Sequence, residues 1–284
     1  MKLSIFTTIT KPHGRGDNSA DAIECYHDLA DEVILVDGGM PSYMDNTRTH
    51  DSQPPLNKIE FVNNQWPQEF NWPFIGQQFQ RGYEACTGDW VIHADIDFIF
   101  HEQDFAAIRK AMEDNPDAPA LSFYKYQFIL PDRYNLKSRL VLAVNKGKYG
   151  DRIRFDSGGD LCQPSLDGKY ISPDDVPETG VPFYNYEKLS KTKEQIKDDV
   201  ERMDRAYHRH FKRWLYSEEG RSGQAYNGWI RMATGRFTKP QKHIAITDHP
   251  KYIQKAILNL RPDQWGFNGL NKLEVNDYMR GALK

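Results

Sequence analysis

Asp95-Ile96-Asp97 sets two carboxylates one residue apart at the end of an apolar run, Trp90-Val91-Ile92-His93-Ala94. Residues two apart on an extended chain face the same way, so the two acids can share a cation. Hard carboxylate oxygens suit Mg²⁺ or Mn²⁺, and such an ion neutralises the charge that gathers on a departing diphosphate. A DxD triplet alone is a weak signal, because acid pairs are commonly solvated surface. Its position strengthens it, since two carboxylates at the end of a buried strand are costly without a counter-charge. Two other loops are expected on the same sheet edge, Thr7-Thr8-Ile9-Thr10 and Asp37-Gly38-Gly39. Asp37 before two glycines also reads as a turn former.

These residues need a scaffold, and the chain supplies the signals of one. Its 284 residues, 39% hydrophobic and 27% charged with mean hydropathy −0.74, fit one large α/β domain. No run is long and apolar enough for a membrane span. The net charge of −3 points to no nucleic-acid binder as a whole. β-Branched and apolar runs predict strands over 3–9, 32–37, 58–62, 89–96 and 120–130. Helical spacing predicts helices from Asn18 or Ser19 to Leu29, over 74–86 and over 104–114, with loops at 11–17 and 40–56. Strands alternating with helices imply right-handed crossovers and a mostly parallel sheet whose ligands sit at the carboxyl ends of its strands. Further on, 147–181 is rich in Gly, Asp and Pro, with short strand-like pieces at 152–155 and 169–171. One amphipathic helix is predicted over 189–215, then a strand over 243–247 and a helix over 250–258.

The stretch Phe70-Asn71-Trp72 through Gln80-Arg81-Gly82, followed by Ala85-Cys86-Thr87-Gly88-Asp89-Trp90 and the run to Asp97, resembles the family 2 glycosyltransferases. Asp37-Gly38-Gly39 is similar to their Asp-Asp-Gly-Ser turn. The resemblance covers about the first 130 residues and departs at Phe79-Gln80, where the family has Arg-Asn, and at Phe98, where it has an acid. It implies a GT-A fold: a Rossmann-like sheet flanked by helices, with a nucleotide-sugar-binding half at 1–135, an acceptor half at 136–284 and a helical C-terminal extension. It also implies a nucleoside-diphosphate sugar as donor, UDP-linked in the first instance, and Mn²⁺ or Mg²⁺ as cofactor. Thr7, Thr8 and Asp37 would hold the nucleotide, Asp95 would approach ribose and metal, and Asp97 would bind the metal. The family often adds a histidine near a His-Tyr-Gly; the comparable stretch here is Pro182-Phe183-Tyr184-Asn185-Tyr186, which leaves His249, His243 or water as third ligand.

An inverting transfer needs a carboxylate base beside the acceptor hydroxyl. Asp160 in Ser157-Gly158-Gly159-Asp160 is the candidate, because a glycine-rich loop can approach substrate closely. Asp156, Asp174, Asp175 and Glu178 are its rivals. The segment Arg202–Lys242 carries ten basic residues against three acidic ones, interleaved with aromatics, and suggests an anionic partner. The acceptor is then a glycan or, by a looser resemblance to small phage glycosyltransferases that attach sugars to hydroxymethylated DNA bases, DNA. Tyr207, Phe211 and Trp214 equally fit the inward face of the long helix. Two other functions remain open. One is a nucleotidyltransferase, which Lys11-Pro12-His13-Gly14-Arg15-Gly16 faintly resembles; the other is a non-catalytic nucleotide-sugar binder. Three cysteines without metal-binding spacing predict a reducing compartment, the cytoplasm, or the host's for a phage protein.

Overall fold

A computed structural model describes residues 1–10, 12–39, 56–69, 71–217, 224–236 and 241–270. The loop expected over 40–56 lies almost wholly outside them. The parallel part of the sheet is built from β1 (Leu3–Ile9), β2 (Glu32–Asp37), β3 (Ile59–Asn63) and β4 (Trp90–His93), in the order β3-β2-β1-β4. β1, β2 and β4 are buried on both faces because both are covered, while β3 at the edge keeps exposed residues. Leu3, Ile5 and Ile9 pack toward α1 (Ser19–Leu29), while Phe6 and Val91 pack toward α2 (Pro73–Ala85). Gly82 lets α2 approach closely, since a Cβ there would fall 2.4 Å from the Phe6 ring.

The sheet continues as β4-β7-β6-β11-β5, formed by β5 (Phe98–Ile99), β6 (Ala120–Leu130), β7 (Arg133–Asn145) and β11 (Glu178–Asn185), with β12 (Lys242–His243) pairing to β7. This is the α/β architecture with flanking helices expected of a GT-A fold. The parallel pairing expected holds through β3-β2-β1-β4 and returns between β6 and β11, while β4–β7, β6–β7, β11–β5 and β12–β7 are antiparallel. β6 and β7 are joined by Pro131-Asp132 alone, and a two-residue link permits only an antiparallel hairpin. The expected boundary at 135/136 falls inside β7.

Only Ala94–Asp97 separate β4 from β5, although four strand spacings, about 19 Å, lie between them in the sheet order. Five residue steps span at most about 18 Å when fully extended, and this link turns, with the Phe98 N–H donating to the Asp95 carbonyl at 2.9 Å. The sheet must therefore curl, bringing its far edge back toward β4. The acid turn is the seam.

A small sheet of β8 (Ile153–Ser157), β9 (Gln163–Leu166) and β10 (Lys169–Tyr170) lies on α2. The Phe155 N–H donates to Gln80 Oε1 at 3.0 Å. Helices α3 (Phe105–Asp114), α4 (Lys193–Phe211), α5 (Gln224–Arg236) and α6 (Lys251–Leu258) complete the layers. α4 is shorter than the predicted 189–215. Thr192 and Gln195 close a capping box at its start, and Lys212 turns left-handed at φ 58° to end it. Among the described residues no helix is long and apolar enough to cross a membrane.

Candidate active site

β4 stops at His93, so Asp95 and Asp97 stand on a turn and not on the predicted strand 89–96. What fixes that turn is backbone bonding from three sides. Tyr26 Oη, reaching from α1, donates to the carbonyls of Asp95 at 2.6 Å and Phe98 at 2.7 Å, and the Tyr186 N–H donates to the Asp97 carbonyl at 3.0 Å. Ala94 N–H meets the Phe6 carbonyl at 3.1 Å, which docks the turn beside the end of β1.

The two carboxyls differ in setting. Asp95 keeps accessible surface although the surrounding protein crowds it. Loss of surrounding water raises its carboxyl, the charges of Asp160 and Glu187 raise it further, and Lys125 opposes them. Asp97 is raised more strongly, first by burial and then by Asp95 and Glu187. Its Oδ1 is buried with no hydrogen-bond partner among the described groups. An orphaned carboxylate oxygen beside a second acid fits a divalent cation. Among the described residues no three His, Cys, Asp or Glu side chains cluster closely enough to enclose a metal. The protein therefore offers two carboxylates, which is the ligand set Mg²⁺-type ions take when substrate phosphates and water fill the remaining positions.

His249, expected as the third ligand, does not serve. It is wholly buried, its Nε2 meets the Pro131 carbonyl at 2.9 Å and its Nδ1 meets Tyr186 Oη at 2.8 Å. A carbonyl only accepts, so Nε2 carries the proton and Nδ1 accepts from the tyrosine. Burial holds the ring neutral by lowering its pKa to about 4. Both nitrogens are committed to the core.

Of the two threonines, Thr7 is 1% exposed on the α1 side of the sheet, so the expected nucleotide contact is sealed away. Thr8, its neighbour on the opposite face, keeps accessible surface. Asp37 ends β2 with Oδ1 accepting from the Gly39 N–H at 2.8 Å, which is turn-forming work. Gly38 lies under Trp66, where a Cβ would come 2.1 Å from the indole.

Asp160 sits in the β8–β9 turn, which Gly158 shapes at φ 74°. It is exposed and close enough for its charge to raise the Asp95 carboxyl. Its rivals are otherwise engaged: Asp156 with Ser165 at 2.7 Å, Asp174 with Arg139 at 2.9 Å, and Glu178 with Tyr124 at 2.8 Å. Asp175 is exposed, and no charge of the acid cluster is tied to it.

Three residues escaped the sequence reading. Glu187 follows the stretch compared with His-Tyr-Gly, and an acid there was the available signal. It is held ionised chiefly by Lys188, whose ammonium is 2.9 Å away. Lys125 of β6 faces Asp95, Asp97, Asp160 and Glu187 and packs over the Phe98 ring at 5.5 Å. Lys191, 3% exposed, binds Asp17 at 2.7 Å and Asp199 at 2.6 Å, joining the loop after β1 to α4. Arg15 completes that network, 3.5 Å from Asp17 and 3.6 Å from Asp199, and so is turned away from any phosphate-gripping role.

The basic run is less open than its composition suggests. Arg202 pairs with Asp199 at 2.7 Å, Arg205 with Glu201 at 3.9 Å and Arg209 with Glu69 at 3.8 Å, while Arg213 lies over the Tyr207 ring. Tyr207 and Phe211 pack against Trp72. Arg221 and Lys239 lie outside the described residues.

No family model matches the chain, and no curated protein matches it in sequence. Among solved structures, S. aureus TarS 1–349 in complex with UDP is similar over 100% of this chain and 86% of that one, at 11% identity and a TM-score of 0.43. TarS 1–349 with UDP-GlcNAc gives 12% identity and 0.39 over 75% of this chain and 73% of that one. A mannosyltransferase from Pyrobaculum calidifontis, with GDP-Man and Mn²⁺, gives 12% and 0.37 over 84% and 74%. Likenesses this distant assign neither activity nor ligand, and the α/β class follows from the chain's own strand order.

Proposed function

We propose that the protein transfers a sugar from a nucleoside-diphosphate sugar to an acceptor hydroxyl, with Asp95 and Asp97 holding Mn²⁺ or Mg²⁺ against the diphosphate. The observation that carries this reading is the buried, unpartnered Asp97 Oδ1 on a turn pinned at the seam of the sheet, next to Asp95 and the end of β1. When bound, the cation neutralises the leaving diphosphate.

The chain's own residues do the rest. Thr8 and Asp37 border the nucleotide where β1 and β2 end. Tyr26 and Tyr186 hold the acid turn by its backbone, leaving both carboxylates free to ligate. Lys125 supplies positive charge beside them. Asp160, exposed but with its carboxyl raised by the loss of surrounding water, takes the acceptor proton as the hydroxyl attacks; a base whose pKa lies nearer the working pH is better matched to that task.

The test is donor hydrolysis by the full chain across UDP-, GDP- and CMP-sugars, with Mn²⁺ and with EDTA. Hydrolysis of one donor class that EDTA abolishes is expected. Hydrolysis indifferent to EDTA would remove the metal from the proposal, and none with any donor would end it.

A further inference from the structure

The small sheet and α2 enclose a groove of about 610 Å³, within the range of ligand sites, about 300–1,000 Å³. One wall is a stripe of α2 at helical spacing, Pro73, Gln77, Gln80, Arg81 and Glu84. The other is β8, which among the described residues pairs with β9 alone and turns Arg154 and Asp156 outward while Phe155 faces the core. The walls are fixed to each other. Gln80 Oε1 accepts from the Phe155 N–H at 3.0 Å, and Gly76 admits the Leu161 carbonyl, which a Cβ there would meet at 2.1 Å. The groove is therefore formed before anything enters it.

Its lining points to a class of ligand. Arg81 and Arg154 stand against Glu84 and Asp156, two charges of each sign, so the groove has no net charge with which to draw an ion. It does have unspent hydrogen-bonding groups. Among the described residues neither the Gln77 amide nor the Arg154 guanidinium has a partner, and both are exposed. Asp156 spends Oδ1 on Ser165 at 2.7 Å and keeps its other oxygen. Glu84 is held from its own helix by Gln80 at 3.1 Å and Arg81 at 3.5 Å. Planar donors and acceptors thus alternate along the groove, and that suits hydroxyls, each of which both donates and accepts. The stripe from Pro73 to Glu84 is about 16 Å long at about 1.5 Å per residue, more than one sugar ring fills.

We propose that this groove binds a neutral oligosaccharide, gripped through its hydroxyls by Gln77 from α2 and by Arg154 and Asp156 from β8. The proposal deepens the glycosyl-transfer reading and rests on it only for calling that oligosaccharide the acceptor. Leu161 lines the groove and directly follows Asp160 in the β8–β9 turn. A sugar chain lying along α2 therefore has one end beside the base, and the rings behind the reacting one supply the affinity.

Calorimetry on the full chain tests this with three neutral pentasaccharides, maltopentaose, cellopentaose and chitopentaose, against glucose and the polyanion tetragalacturonate. At least one pentasaccharide is expected to bind at least about tenfold more tightly than glucose and than the polyanion. Arg154→Ala should weaken it about tenfold, the scale of one charge-assisted hydrogen bond, and Gln77→Ala about fivefold, that of a neutral one. Both side chains are exposed, so these variants should melt with the native chain. Lys169→Gln, exposed on β10 outside the groove, should keep the native affinity. No binding of any pentasaccharide, tetragalacturonate bound as tightly, or an affinity that survives Arg154→Ala overturns the proposal. So does a UDP affinity that falls with Arg154→Ala, which would give the groove to the donor. Calorimetry needs no turnover. A pentasaccharide held in the groove of a protein that hydrolyses no nucleotide sugar would therefore sink the transfer reading alone, and donor hydrolysis without oligosaccharide binding would sink the groove alone.

Discussion

Replacing Asp97 by Asn should make the metal-free protein more stable and the metal-loaded protein no more stable than that. The carboxyl is raised by burial and by Asp95 and Glu187. The folded state therefore holds a proton that the unfolded chain releases near pH 4, the ordinary Asp range. A raised carboxyl costs stability as pH climbs through that window, because the unfolded state is by then the one that ionises freely. Each unit of elevation corresponds to about 1.4 kcal/mol. Counting only one to two units, to allow for the water that reaches Asp95, gives about 1.4–2.8 kcal/mol of relief in Asp97→Asn. For a chain of 284 residues that is a rise in Tm of roughly 2–5 °C. Thermal unfolding in EDTA should show this rise at pH 8 and little of it at pH 4. Adding Mn²⁺ to a hundred times its Kd should stabilise the native chain by about 2.7 kcal/mol and leave the variant unmoved. A variant that melts lower than the native chain in EDTA at pH 8 would refute the reasoning, because Asp97 would then be a structural group satisfied by the fold.

Asp160→Asn should lower transfer kcat by about 10²-fold or more, and Glu187→Gln by less than about tenfold; the reverse order would hand the base's role to Glu187. The acid limb of the native pH profile should lie above the ordinary carboxyl range, since loss of surrounding water raises Asp160 and the base works only when ionised, and that limb should vanish in Asp160→Asn. Gly76→Ala would set a Cβ 2.1 Å from the Leu161 carbonyl and 2.7 Å from that of Phe155, pushing the β8–β9 turn and Asp160 outward. Overpacking of this kind costs about 1–3 kcal/mol, so both Tm and transfer should fall, and native activity in the Gly76→Ala variant would show that Asp160 need not be held there.

The parallel half of the sheet was legible because its strands are short apolar runs between clear punctuation, and α2 and α3 carry plain helical spacing. β7 was not. Its first half alternates irregularly between half-buried and exposed residues, and its hairpin turn, Pro131-Asp132, lacks the glycine that marks such turns. β11 hid behind Gly180 and Pro182, which sit where the register slips between Glu178 and Pro182. The acid pair stood out as a candidate through the apolar run before it. Lys125 and Glu187 did not, because a lone lysine in a strand and a glutamate after one mean nothing until the curl of the sheet sets them against Asp95. His249 misled for the same reason: its chemistry fits a ligand, and only packing shows both nitrogens engaged in the core.

The seam between β4 and β5 also sets when the site can first exist. Among the described residues β5 pairs with β11 alone, whose last residue, Asn185, lies 88 positions after Asp97. A ribosome adding about 5–20 residues per second needs about 4–18 s to make that stretch. Until then the acid turn has Tyr26 on one side and no backing from Tyr186 on the other. A growing chain therefore carries its two carboxylates for several seconds without the pocket that would concentrate a metal on them. Any product that stops short of Asn185 should be blind to Mn²⁺, however complete its parallel strands.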